Sequence, residues 1–214
     1  MKTLEPLHFD SKLCRKELDE FKELLDNNPT LDERKDVLPF FRNRQHLSAF
    51  IGSYIQGLDN FDRLAFEYSL FGDFYCDLVV GDSEAGCYCF IEFEDASPTS
   101  IFEQKSKKAT LEWSSRFEHG FSQIVDWFWK LADMENTTAF ESQFGKGYIK
   151  YDGMLILGKS EDLAYKEQIR LQWRLDRVVV NSKKIFCRTF DELYKDLNRR
   201  LTRYGLVFPV NQGD

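Results

Sequence analysis

Asp77 lies inside one apolar run, Phe74 to Val80, and Glu92 and Glu94 lie inside a second, Cys87 to Glu94. Both runs are rich in aromatic and β-branched residues and read as strands, and residues 81–86 between them mark a hairpin turn. Side chains alternate along a strand, so Tyr75, Asp77 and Val79 are expected on one face of the first. Tyr88, Phe90, Glu92 and Glu94 are expected on one face of the second. A two-residue turn at Glu84 and Ala85 then sets Asp77 opposite Glu92. Side chains so opposed have Cβ atoms about 4.5–5.5 Å apart, a destabilising distance for like charges. A hard divalent cation, Mg²⁺ or Mn²⁺, held by Asp77 and Glu92 would offset the repulsion. The competing expectation places Glu92 and Glu94 on a solvated sheet face and Asp77 at a strand end.

Several elements must position these acids. A strand from Leu64 to Phe71, turning at Gly72 and Asp73, places Glu67 either beside the acidic pair or on the opposite sheet face. A loop from Ser97 to Thr110 carries Lys105, Lys107 and Lys108, any of which could reach the site or form a solvated cluster. A helix from Leu111 to Asp133 then puts Trp113, Phe117, Phe121, Ile124, Phe128 and Leu131 on one stripe. Arg116, His119, Gln123 and Lys130 form a neighbouring polar stripe. Gly120 inside this helix costs about 1 kcal/mol relative to Ala, which close helix-to-sheet packing would explain. Upstream, residues 10–28 read as a helix, and Thr30 with Glu33 forms a capping-box pattern for a second helix that Pro39 interrupts. A third helix spans residues 45–56. Downstream come a flexible link over residues 135–150, a buried strand over 151–157 and a helix over 161–173. A strand pair near 177–180 and 184–188 and a last helix over 190–204 follow. The expected architecture is α/β, a mixed sheet flanked by helices with a helical N-terminal lead-in, divided at residues 1–60 and 61–208.

An acid in one strand, a hairpin, and Glu92-Phe93-Glu94 in the next is similar to the core of the PD-(D/E)-x-K nucleases. With the lead-in (Glu20 to Leu25, Asp32 to Phe41) and Gln123 followed by Trp127, the chain closely resembles the nuclease domain of Shedu, a bacterial anti-phage defence family. The resemblance implies a restriction-endonuclease-like fold and a metal-dependent DNA endonuclease. In such an enzyme Asp77 and Glu92 hold the metal, Glu94 binds metal or positions water, and Gln123 orients substrate or water. The chain departs from the motif at Glu94, where the superfamily has Lys. That departure keeps open a nuclease-fold protein without turnover, acting as a nucleic-acid-binding or oligomeric interaction module.

At 214 residues and 43% hydrophobic, the chain can bury one sizeable core. Its first thirty residues are densely charged and no apolar run is long enough to span a membrane, so a cytoplasmic protein is expected. Five cysteines (Cys14, Cys76, Cys87, Cys89 and Cys187) lack metal-ligand spacing and read as buried thiols. Net charge is −7, unevenly spread: residues 1–95 carry ten basic and twenty acidic side chains, residues 96–214 nineteen and sixteen. A basic cluster that includes Arg170, Arg174 and Arg177 could track phosphates or be a solvated helix face, and Lys107, Lys108 and Arg116 are further expected DNA contacts. DNA and further copies of the chain are the expected partners.

Overall fold

In a computed structural model of the chain, described for residues 3–105, 107 and 109–207 with the side chains of 204–207 excepted, the expected α/β architecture is present. In chain order, β1 (Glu5–Pro6) leads to α1 (Ser11–Asn27), a π turn (Glu33–Val37), α2 (Leu38–Arg42), α3 (Gln45–Phe50) and a 3₁₀ turn (Ile51–Tyr54). The strands β2 (Arg63–Leu70), β3 (Phe74–Asp82) and β4 (Cys87–Phe93) follow, then a small hairpin of β5 (Phe102–Glu103) and β6 (Glu112–Trp113). After α4 (Ser115–Met134) and α5 (Thr138–Phe144) come β7 (Lys150–Ile156), α6 (Tyr165–Arg177), β8 (Val179–Val180), β9 (Lys183–Arg188) and α7 (Phe190–Val207). Seven strands form one mixed sheet in the order β1-β2-β3-β4-β7-β9-β8. Its first four strands pair antiparallel, and β4, β7 and β9 pair parallel.

Both sheet faces are covered. On one, α1, α3 and α7 bury Leu18, Phe21, Phe50, Leu193 and Leu197 against Leu78, Val80, Ile91 and Phe93. On the other, Phe117, Ile124, Trp127 and Phe128 of α4, with Phe140 and Phe144 of α5, bury Val79, Tyr88, Phe90 and Leu155. Covering both faces explains why β4 is buried throughout and why Glu92 within it is so exceptional. All five cysteines are buried free thiols.

Several boundaries differ from expectation for local reasons. Asp32, not Thr30, caps the second helical segment, accepting from the N–H groups of Arg34 (3.1 Å) and Lys35 (2.9 Å). Leu31 is instead bridged to Ala96 by paired backbone bonds of 2.9 Å. Helix α4 starts at Ser115 because Ser114 Oγ caps Phe117 N–H at 3.0 Å, which leaves Trp113 in β6, stacked on Phe102 and Phe117. Residues 135–150 are not a flexible link: Thr137 caps Phe140 N–H, Gly145 ends α5 in the left-handed conformation, and Phe140 and Phe144 are core residues.

Helix α4 lies unusually close to the sheet. A Cβ on Gly120 would meet Leu155 Cδ1 at 2.6 Å, and one on Gly153 would meet Ile124 Cγ2 at 2.3 Å and Phe128 Cζ at 3.0 Å. Gly120 therefore serves the close packing expected of it. Gly153→Ala should overpack this seat and destabilise the fold by about 1–3 kcal/mol, lowering Tm by about 3–10 °C in a thermal melt; an unchanged Tm would show that the helix can retreat from β7 at no cost.

Candidate active site

The β3–β4 hairpin sets the register of the acids. Its ladder runs from Asp82↔Cys87 to Leu78↔Ile91, so one residue further Asp77 stands against Glu92, as the sequence implies. The connection is a four-residue loop, 83–86, rather than a two-residue turn, but it is centred on Glu84 and Ala85 and keeps that register. Asp77 Oδ2 accepts from Phe93 N–H at 2.9 Å, and Gln123 of α4 donates its amide to Glu92 Oε1. Asp77 is partly buried, while Glu92 and Glu94 are 7% and 3% exposed. The solvated-face alternative for these glutamates therefore fails.

The face assignment expected for β3 does not hold at Asp77. On β2, Leu64 and Phe66 pack in one core, whereas Ala65, Tyr68 and Leu70 pack in the other. On β3, Leu78 and Val80 pack in the first, whereas Val79, Cys76 and Phe74 pack in the second. Alternation breaks at the position between Phe66↔Leu78 and Tyr68↔Cys76, which is Glu67 and Asp77. Glu67 has φ 49°, a left-handed backbone that costs a non-glycine residue roughly 1–3 kcal/mol and rotates the chain there. Tyr75 is consequently turned to solvent, and Glu67 pairs with Arg42 at 3.0 Å.

Asp77, Glu92 and Glu94 line a cleft of about 660 Å³ with Glu33, Arg34, Tyr75, Ser115, Arg116, His119 and Gln123. A second cleft of about 830 Å³ shares Glu33, Arg34, Tyr75 and Asp77 and continues past Arg42, Glu67 and Ser69. Arg116, His119 and Gln123 recur at helical spacing on one face of α4, as their polar stripe implies. Glu33 and Arg34 are the residues that sequence reading missed. They reach the cleft because the Leu31–Ala96 bridge pins their segment beside the end of β4. The Asp32 cap is the one local sign of where that segment begins its turn.

Arg116 is the fixed cation of the cleft. Its Nη1 lies 3.1 Å from Glu94 Oε2 and 3.6 Å from Glu33 Oε2, and its Nε lies 3.0 Å from Asp95 Oδ2. Lys105 is instead tied to Glu103 and to the Trp113 carbonyl, each at 3.0 Å. Lys107 does not line the cleft, and Lys108 lies outside the described residues. Arg174 makes a two-pronged contact with Glu118, at 2.6 and 2.9 Å, and stacks over Trp113, Phe117 and Phe121. Arg170 donates to the Leu111 carbonyl and covers Phe102 and Trp113. Because Glu118 is two residues round the helix from Arg116, these arginines sit on the other flank of α4 and are not brought to the cleft. Arg177 is exposed over Trp173 on α6.

Burial pushes the carboxyls of Asp77 and Glu92 well above the usual range, and the charges of Asp77, Glu94 and Glu33 drive Glu92 further. Burial likewise pushes Glu94 up to about 7, with the Arg116 hydrogen bond working against it. Each carboxyl thus holds its proton more tightly folded than unfolded. The resulting stability is complete below the ordinary carboxylate range and is lost as pH rises through the folded value, about 7 for Glu94. In chelator, Tm should fall from pH 5 to pH 8. Glu92→Gln should flatten that decline and raise Tm above the parent's at pH 8; parallel curves for the two proteins would contradict the electrostatic account.

Among the described residues, no helix is long and apolar enough to cross a membrane. No curated protein matches the chain. The family model described as Shedu protein SduA, C-terminal, matches residues 30–194, from the segment that carries Glu33 to the first turn of α7, and so spans every residue of the cleft. The chain belongs to the Shedu family, a membership that supports a role in anti-phage defence.

Proposed function

We propose that the chain is a divalent-metal-dependent DNA endonuclease of anti-phage defence, hydrolysing a phosphodiester in the cleft at Asp77 and Glu92. One observation carries the reading. Two acids, Asp77 partly buried and Glu92 buried, stand side by side on adjacent strands, and their described hydrogen-bond partners are the neutral Phe93 N–H, the Gln123 amide and each other. A cation is the counterpart such a pair lacks. Among the described residues, no group of three or more His, Cys, Asp or Glu side chains is arranged to hold a metal. Two carboxylates with waters and a phosphate oxygen are nonetheless an ordinary set for Mg²⁺.

Asp77 and Glu92 would hold Mg²⁺ or Mn²⁺, which supplies positive charge to the phosphate and acidity to the attacking water. The remaining roles belong to the chain. Gln123 fixes the rotamer of Glu92 through its amide. Glu94 faces the same cleft and positions the water, which releases a proton to solvent as its oxygen bonds to phosphorus. The bond from phosphorus to one sugar oxygen breaks, and that oxygen takes a proton from solvent. Tyr75 and Arg34, exposed on the wall common to both clefts, would meet the nucleic-acid strand.

A second reading, a nuclease-fold protein that binds nucleic acid or its own copies without turnover, is favoured by the negative charge that Glu94 adds where the superfamily has Lys. The two readings part on experiment. A divalent ion at about a hundred times its Kd should stabilise the fold by ~2.7 kcal/mol, raising Tm by several degrees. Asp77→Asn and Glu92→Gln should each abolish that rise, and Asp77→Asn should abolish cleavage of DNA in Mg²⁺ or Mn²⁺. Parent protein that cleaves no form of DNA with either ion would establish the second reading.

A further inference from the structure

A phosphodiester entering this cleft meets Glu33, Asp77, Glu92 and Glu94, all of one sign with itself. Two arginines line the same walls, and they differ in how they are held. The Arg34 side chain is 89% exposed and approaches Glu33 no closer than 4.0 Å. Arg116 is clamped by Glu94, Asp95 and Glu33 at 3.0–3.6 Å, on the first turn of a twenty-residue helix whose N-terminal end adds positive potential. Its nearest approaches to these acids are made by Nε and Nη1, and Nη1 donates to Glu94 Oε2. The side chain is 48% exposed, so an incoming anion can reach it. A guanidinium is always charged and presents its donors in a rigid fork that matches phosphate oxygens.

We propose that Arg116 is a catalytic residue: its guanidinium contacts a non-bridging oxygen of the scissile phosphate and offsets the charge that gathers there as water attacks. Glu94, standing where the superfamily places a basic residue, is in this arrangement the anchor that holds the cation. The assignment rests on the nuclease reading and deepens it. Preorganised charge aimed at a developing oxyanion contributes more in a partly dry cleft than in water, and loss of one such donor costs about 100–1,000-fold in rate.

The test compares parent, Arg116→Ala, Arg116→Lys and the double variant Glu94→Lys with Arg116→Ala. It measures kcat and KM for DNA cleavage and, separately, Mn²⁺ affinity by calorimetry. Arg116→Ala should lose about 100-fold or more in kcat with little change in KM, and added guanidinium should restore part of it. Arg116→Lys should retain an intermediate rate. Because Glu94 and Asp95 are released, Arg116→Ala should bind Mn²⁺ more tightly than the parent. The double variant, which keeps the cleft charge balanced if Arg116→Ala alone does not fold, should cleave faster than Arg116→Ala or, where that variant is unfolded, within tenfold of Arg116→Lys. A kcat within threefold of the parent in Arg116→Ala would overturn the assignment and leave the nuclease reading standing. So would a loss that neither guanidinium nor Lys at position 94 repairs, or weaker Mn²⁺ binding. A parent that cleaves no DNA overturns both.

Discussion

Like charge on largely buried, neighbouring carboxyls is the constraint around which this structure is arranged. Asp77 and Glu92 oppose each other across β3 and β4, and Glu94 follows two residues on. Each would be better solvated elsewhere, and burial raises the affinity of all three for protons. Helix α4 makes the arrangement tenable. Gly120 and Gly153 let it approach β7 closely enough for Gln123 to donate to Glu92 and for Arg116 to reach Glu94 and Asp95. A bulkier residue at either glycine would lift the helix and with it the amide and the guanidinium. Packing and electrostatics are therefore one problem here: the helix seat that fills the core also delivers the compensating groups.

A second device lies on the other side of Asp77. Glu67 and Asp77 fall at a position skipped by the β2–β3 ladder, where both strands exchange the faces they present to the two cores. Register is kept through the exchange, so the hairpin downstream is undisturbed. The exchange opens the sheet at the acids, turns Tyr75 outward, and joins the acidic cleft to the larger one that runs past Arg42 and Ser69. Strain at Glu67 is the local cost of that opening.

Much of this was legible in the residues, and the exceptions share a cause. The Asp77–Glu92 register followed from where the turn is centred, the polar stripe of α4 from helical spacing, and the role of Gly120 from its misfit in a helix. These are local signals, carried by residues near one another in sequence. Glu33 could not be found in that way, because a backbone bridge from Leu31 to Ala96 brings it to the cleft. The left-handed Glu67 was hidden because nothing about a glutamate marks such a backbone. Charge counting offered Arg170 and Arg174 as DNA contacts, and it did not show the packing role they also have, over the aromatic stripe of Phe102, Trp113, Phe117 and Phe121. A basic residue beside an aromatic stripe has two uses, and composition does not choose between them.

The central claim is that the repulsion between Asp77 and Glu92 is resolved by a bound divalent cation. Anomalous scattering from crystals of the protein grown with Mn²⁺ tests it most directly. The account predicts a peak in contact, at about 2.0–2.6 Å, with carboxylate oxygens of both Asp77 and Glu92. No peak there, at an Mn²⁺ concentration that raises Tm in solution, would contradict it.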